Sequence, residues 1–370
     1  MDDLIIVGGG PVGLGAAICA ALAGRTARVL EAKPGVIDKA CGEGLMPGGV
    51  QAMASLGIEV PEYRPFRGIR YVEGDRQADG HFRSGHGRGI RRTVLHKAMR
   101  DRALSLGIPI EECRVGEVQQ DEAGVSAGGF RGRYLIAADG LRSTVRRQYG
   151  LQIPQKSPPR YGLRRHFAVK PWSDYVEVHW SPLAEAYVTP VAEDLVGIAL
   201  LFSDDLRRQF KGGGETFYHS VLQELFPHLH ARCRNACTEV MGAGHFKTVL
   251  SSRVRGRVLF AGDAAGYLDP LTGEGVRLGL ATAEAAVAAV LSGDPAAYDR
   301  RWQRMTRRYW MATSAILALR RREVLRRRVI PLLARAPWIF DHLLSALDHA
   351  GGSAWPDQRS RSSDLQEGEG

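Results

Sequence analysis

The chain has 370 residues, 44% apolar, 24% charged and 8% aromatic, a composition that excludes disorder, collagen-like repeats and a coiled coil. Its formal charge of +10 would suit a polyanionic partner, yet no nucleic-acid motif accompanies the arginines, so nucleic-acid binding is not expected. The five cysteines, Cys19, Cys41, Cys113, Cys233 and Cys237, follow no framework spacing and point away from a disulfide scaffold.

No apolar run reaches the roughly 20 residues that span a bilayer. Met1-Asp2-Asp3 leads directly into an apolar strand, leaving no room for a basic leader. A cytoplasmic protein is expected, with contact at a membrane surface as the second reading. Glycine, at 44 residues, is about 12% of the chain against a usual value near 7%, and many of these glycines fall in short clusters.

Leu4 to Val7 reads as a buried parallel strand, Gly8 to Gly13 as a turn, Leu14 to about Ala23 as an alanine-rich helix, and Ala27 to Glu31 as a second strand, which together form a βαβ opening. In Gly8-x-Gly10-x-x-Gly13, Gly8 permits a tight turn, Gly10 lets backbone approach a pyrophosphate, and Gly13 lets helix and strand pack closely. Pro11 and Val12 lie in this turn, and the N-terminus of the helix that follows supplies N–H donors and a positive dipole end. Glu31, with Ala32 and Lys33 beside it, is placed to accept the hydroxyls of an adenosine ribose. This motif alone does not separate FAD from NAD.

Residues 34–57 hold a glycine-rich stretch and a short helix, and 66–90 alternate as antiparallel strands do. Thr93 to Leu106 reads as an amphipathic helix stopped by Gly107. Tyr134 to Ala138 is a strand ending in Asp139-Gly140, and Ser143 caps the helix that follows. From Tyr161 to Leu201, four segments (162–169, 175–180, 186–190 and 195–202) suggest a mixed or antiparallel sheet. Arg257 to Ala261 is a further strand, followed by Gly262-Asp263 and Pro270-Leu271-Thr272-Gly273-Glu274-Gly275-Val276, then a helix to Leu291. This segment resembles the second FAD motif of a flavoprotein superfamily, which implies that Asp263 binds a ribityl hydroxyl and that the helix start faces the negative charge of a reduced flavin.

In this order, the three motifs resemble the FAD-dependent superfamily of p-hydroxybenzoate hydroxylase-like aromatic monooxygenases, geranylgeranyl reductases and tryptophan halogenases. The resemblance covers residues 1 to 295. It implies an α/β fold, with a Rossmann-like FAD-binding domain, a mixed or antiparallel β-sheet substrate domain over the flavin, and C-terminal helices. It also implies FAD as cofactor and NAD(P)H as co-substrate, with Arg92 on the FAD phosphates and a backbone contact from Val115 to adenine. Lys39-Ala40-Cys41-Gly42-Glu43-Gly44-Leu45 resembles the Cys-Gly-x-Gly segment of geranylgeranyl reductases, which passes beside the isoalloxazine.

Two departures narrow the subfamily. Where such reductases show Tyr-x-Trp-x-Phe-Pro, Tyr187-Val188-Thr189-Pro190 keeps only the ends, and the Trp-x-Trp-x-Ile-Pro motif of halogenases is absent. The expectation is therefore an NAD(P)H-dependent monooxygenase that hydroxylates an apolar phenolic or polyketide-type small molecule. A geranylgeranyl reductase-like enzyme that saturates isoprenoid double bonds is the alternative, and a halogenase the further one. Cys41 and Glu43 are expected near the reacting ring and Tyr187 on the substrate-facing sheet, while the base for a phenol stays open among His166, His179 and Tyr187.

The resemblance divides the chain into an FAD-binding domain (1–65, 89–160 and 248–298), a substrate domain (66–88 and 161–247), C-terminal helices (299–350) and a disordered tail (351–370). His228, His230, Cys233 and Cys237 have zinc-ligand types at close spacing, but nothing around them completes a metal pattern and no metal is expected. Arginines flank the apolar runs 311–319 and 329–344, which suits a helix covering the FAD domain or, alternatively, one lying on an anionic bilayer.

Overall fold

The computed structural model describes residues 1–155, 158–210 and 212–348; the tail expected at 351–370 lies outside them. Its first layer is an eight-stranded sheet in which Asp2–Val7 pairs in parallel with Ala27–Glu31 on one side and Phe130–Ala137 on the other. Val258–Phe260 and Ile110–Glu112 extend it, also in parallel. The central strands are buried and apolar on both faces, and the helix Pro11–Leu22 packs across one of them. The helix expected from Leu14 begins earlier, at Pro11, since proline suits a first helical position that has no N–H to satisfy. The helix read from Thr93 spans Arg92–Ser105.

The second layer is a seven-stranded sheet in the order 241–244, 160–168, 195–203, 184–192, 175–180, 68–73 and 76–81. All its pairings are antiparallel except that of Tyr175–Trp180 with Gly68–Glu73. Alternation gives this sheet two distinct faces. On one, Phe167, Ala186, Val188, Ile198 and Leu200 pack against the helices Gly214–Leu225 and Pro227–Arg232. On the other, the register aligns Arg164, Ala199, Tyr187, Val178 and Tyr71 in one row across five strands, and this face meets the first layer.

The C-terminal helices do not simply cover the FAD-binding sheet. Ala297–Arg321 starts on that core, where Tyr298 and Trp302 are buried, then crosses to the second sheet, where Arg320 pairs with buried Glu185. Glu323–Arg335 and Pro337–Asp348 bury Ile330, Leu333 and Phe340 against Ile69, Val176, Val178 and Trp180. Apolar periodicity marks these segments as helices but carries no information about which surface receives them.

Candidate active site

The turn after the first strand is set by contacts that only glycine satisfies. Gly8 has φ +105°, and a Cβ there would lie 2.5 Å from the Ala138 carbonyl oxygen; a Cβ on Gly13 would lie 1.8 Å from the Gly8 carbonyl oxygen. At Gly10 the same atom would meet nothing within 4 Å, so this glycine faces open space rather than protein. Val12 packs its side chain on Gly262 and Gly279, which brings the first helix against the helix Gly275–Leu291.

Glu31 has a role that its spacing did not reveal. Its Oε2 accepts the Gly9 N–H at 2.7 Å and its Oε1 the Lys33 N–H at 2.9 Å, so the carboxylate ties the glycine loop to the second strand and keeps its remaining lone pairs for a ligand. Ala32 is half-buried and Lys33 exposed at the strand end. His96, absent from the sequence reading, bridges the same loop. The Ile37 N–H donates to its Nδ1 at 3.2 Å, so Nε2 carries the proton and donates to the Gly9 carbonyl at 2.8 Å. Burial lowers its pKa, consistent with this neutral tautomer.

The second and third motifs converge on the mouth of this turn. Asp139 Oδ2 accepts the Thr144 and Val145 N–H groups at 2.7 and 3.2 Å, while its Oδ1 is buried without a hydrogen-bond partner. Gly140 carries φ +79°, and Ser143 accepts from the Arg146 N–H at 3.0 Å as the expected cap. Burial raises the pKa of Asp263, opposed by Lys39, Arg92 and Arg146. The buried Arg92 guanidinium has its pKa lowered by burial and makes no hydrogen bond among the described residues. Val115 is buried in the core beneath the first sheet.

These features fit a flavin dinucleotide: an open glycine facing a helix start, an unpaired buried carboxylate oxygen, and two cations, Lys39 and Arg92, flanking Asp263. Arg92→Met is expected to weaken FAD retention roughly ten- to a hundredfold, the worth of a charge-assisted hydrogen bond, without lowering the melting temperature of the flavin-free chain; FAD titration followed by fluorescence checks this.

The loop Cys41–Leu45 runs between the two layers. Gly44–Leu45 pairs with Gly87–Gly89, and Thr189 Oγ1 donates to the Gly42 carbonyl at 2.7 Å. Glu43 has φ +59°, the single non-glycine with positive φ among the described residues, a conformation that costs about 1–2 kcal/mol. Its carboxylate accounts for the strain. Oε1 accepts the Arg92 N–H at 2.8 Å, and Oε2 lies 2.5 Å from His166 Nε2. His166 is wholly buried on the inward face of the second sheet. Arg164 Nη1 donates to its Nδ1 at 3.1 Å, and because a guanidinium only donates, the imidazole proton sits on Nε2, pointing at Glu43. Thr238 Oγ1 lies 3.2 Å from the same Nδ1.

The three candidate bases separate on this geometry. His179 is on the opposite face of the sheet, bonded to Glu177 and His228 at 3.0 Å each. Tyr187 faces inward, but its hydroxyl donates to the Leu271 carbonyl at 3.1 Å and burial pushes its pKa well up, so it holds the 270–273 turn in place as a neutral phenol. His166 remains. Cys41 is likewise held as a thiol, its pKa raised by burial, with Sγ accepting the Glu43 N–H at 3.4 Å.

The turn Pro270–Thr272 is capped by Asp269, whose Oδ1 accepts the Leu271 N–H at 3.2 Å, and closed by Gly273 at φ +71°. It leads into the helix Gly275–Leu291, with Gly275 and Val276 in its first turn and no acidic residue there. Arg160 bridges Asp269 at 2.9 Å and Glu185 at 3.0 Å, and Tyr309 donates to the Asp269 carbonyl at 2.7 Å. A cavity of ≈ 190 Å³ opens here, lined by Arg160, Lys247, Leu268, Asp269, Leu317 and Ala318 among others.

Burial outweighs the attraction of Arg160 and pushes the Asp269 carboxyl up to about 6. A raised carboxyl pKa means that the folded state holds the proton more tightly than the unfolded chain. Its contribution to folding is therefore complete below the ordinary carboxylate range and lost as pH rises through about 6, on the order of 3 kcal/mol. Asp269→Asn is expected to remove this slope in chemical denaturation series while keeping the Leu271 cap; an unchanged slope would assign the titration to another group.

The zinc-type residues are not brought together. His228 bonds His179, His230 bonds His219, Cys233 is buried under the second sheet and Cys237 is exposed.

Comparison with known proteins identifies the family. A family profile described as "FAD binding domain" matches residues 2–298. Para-nitrophenol 4-monooxygenase of Pseudomonas sp. (strain WBC-3) is 29% identical, covering 77% of this chain and 76% of its own. Digeranylgeranylglycerophospholipid reductase 1 of Methanopyrus kandleri is 27% identical, covering 81% and 86%. Among solved structures, a flavin-dependent brominase superposes with TM-score 0.82 at 14% identity over 99% of this chain and 98% of its own. No helix among the described residues is long and apolar enough to cross a membrane. With the family profile running from the first strand to the end of the helix that faces the flavin turn, the chain belongs to the FAD binding domain family and is an FAD-dependent oxidoreductase of the superfamily that includes aromatic hydroxylases and geranylgeranyl reductases.

Proposed function

We propose that the protein is an NAD(P)H-dependent monooxygenase that hydroxylates an apolar phenolic or polyketide-type ring. The observation that carries this reading is the buried Glu43–His166 pair, set where the Cys41–Leu45 loop meets the inward face of the second sheet. Oxygen insertion into a phenol is helped by ionising the hydroxyl, which requires an acceptor inside a site that excludes water. Tyr187 and Cys41 are held protonated and Nδ1 of His166 is taken by Arg164, so the acceptor that the pair offers is the Glu43 carboxylate, with the His166 Nε2–H beside it. Bound FAD supplies the redox and oxygen chemistry. The chain's own groups orient the cofactor and keep the site dry: Met46, Val176, Val178 and Trp180 form an apolar floor, and Ile330, Leu333 and Phe340 close it.

A second reading, reduction of an isoprenoid double bond, is favoured by Cys41, whose thiol keeps a proton to donate in the same loop. Labelled dioxygen separates the two. Hydroxylation places the label in the product and fails without oxygen, whereas alkene reduction proceeds anaerobically and adds two hydrogens. Halogenated product in the presence of bromide would overturn both.

A further inference from the structure

The helices Glu323–Arg335 and Pro337–Asp348 use one side to cover the second sheet and leave the other open. On that outer side Val324 is 63% exposed, Leu332 56%, Trp338 66% and Leu343 52%. Isolated exposed apolar residues are ordinary, but a group of large ones on two consecutive helices is a mark of an interaction surface. The charges around them are predominantly positive. Residues 301–348 contain eleven arginines against Glu323, Asp341 and Asp348. Arg320 and Arg326 are taken up in buried pairs with Glu185 and Glu73, whereas Arg322, Arg328 and Arg335, and Arg327 in a surface pair with Glu323, are exposed beside the apolar group.

A folded soluble partner would have to match this outline with its own acidic surface. An anionic bilayer meets it without such matching: tryptophan and leucine enter the boundary between headgroups and chains while arginines meet lipid phosphates. We propose that this face seats the protein on an anionic membrane surface, with Leu332 and Trp338 inserted and Arg327, Arg328 and Arg335 on the headgroups. The inner sides of the same helices close the apolar floor beside the flavin turn, so docking would set the roof of the site against a reservoir of apolar molecules. The proposal stands on the surface alone and does not depend on which reaction the site performs.

The test is flotation of the full-length FAD-loaded protein with vesicles of phosphatidylcholine, with and without phosphatidylserine. Binding is expected only with phosphatidylserine and should fall as salt is raised. Leu332→Glu/Trp338→Glu should weaken it by about tenfold or more, and Arg327→Gln/Arg328→Gln/Arg335→Gln should abolish the lipid selectivity. All these positions are exposed, so flavin content and melting temperature should match the unsubstituted protein, which separates a lost surface from a lost fold. The proposal is overturned if vesicles are ignored, or if the substitutions leave binding unchanged. It is also overturned if light scattering shows that they dissociate a dimer, or if binding appears only after the residues beyond 348 are removed, which would assign the face to the chain's own end.

Discussion

Gly13→Ala is expected to abolish FAD retention and to destabilise the fold severely. A Cβ at this position would lie 1.8 Å from the Gly8 carbonyl oxygen and 3.0 Å from its carbon. Neither neighbour can yield: Gly8 sits at φ +105°, with Ala138 O 2.5 Å from where its own Cβ would lie, and Gly8 N–H donates to Leu30 O at 2.8 Å in the sheet. The overlap must be relieved by parting helix from strand at the centre of the core, which places the loss in the exceptional range above about 4 kcal/mol. Gly10→Ala provides the contrast. Its Cβ would meet no protein atom within 4 Å, so the variant should melt like the unsubstituted chain yet lose most of its flavin, since the added methyl occupies the space that the pyrophosphate approaches. Visible flavin absorbance per chain and melting temperature, measured on both variants, check the pair. A Gly10→Ala protein that keeps its full flavin would show that the cofactor does not enter by this turn.

Glu43→Gln is expected to lower product formation by about a hundredfold or more, the usual contribution of a positioned acid–base group, with stability reduced by up to about 3 kcal/mol as one partner of a buried pair is lost. Glutamine still accepts the Arg92 N–H, so the strained loop keeps one of its two anchors and flavin content should hold. His166→Gln should show the same loss, and the double variant little more than either single one, because the two act as a unit. Glu43→Gly isolates the backbone: it relaxes φ +59° and removes the carboxylate, so a Glu43→Gly enzyme with normal turnover would assign Glu43 a purely conformational role.

Much of the cofactor half was legible before any coordinates. The Gly8–Gly13 turn, the Asp139-Gly140 strand exit, the Ser143 cap and the Gly262–Val276 segment are local devices whose meaning lies in spacing along the chain, and the strands around them fall within a few residues of where alternation placed them. Tyr175–Trp180 and Ala27–Glu31 coincide with their expected bounds. The second sheet was legible as four strands, but the parallel seam between Tyr175–Trp180 and Gly68–Glu73 was not, because pairing across such a separation leaves no trace in either segment.

The substrate half was legible only as a set of candidates. His166, His179 and Tyr187 are alike as residue types in neighbouring strands. Strand parity puts His179 on one face and His166 with Tyr187 on the other, and only the neighbours across the interface decide what each of those two side chains bonds to. Lys39, His96 and Arg164 were missed for the same reason: each acts through a partner distant in sequence, and His96 and Arg164 sit in no local motif.

The glycine excess and the three motifs by themselves determine a flavin-binding oxidoreductase, because backbone that must approach a dinucleotide needs a missing Cβ at fixed intervals. The partners of His166, His179 and Tyr187, the strain at Glu43 and the placement of the C-terminal helices were decided by the tertiary structure, because burial, proton location and surface complementarity belong to atoms brought together from far apart in the chain.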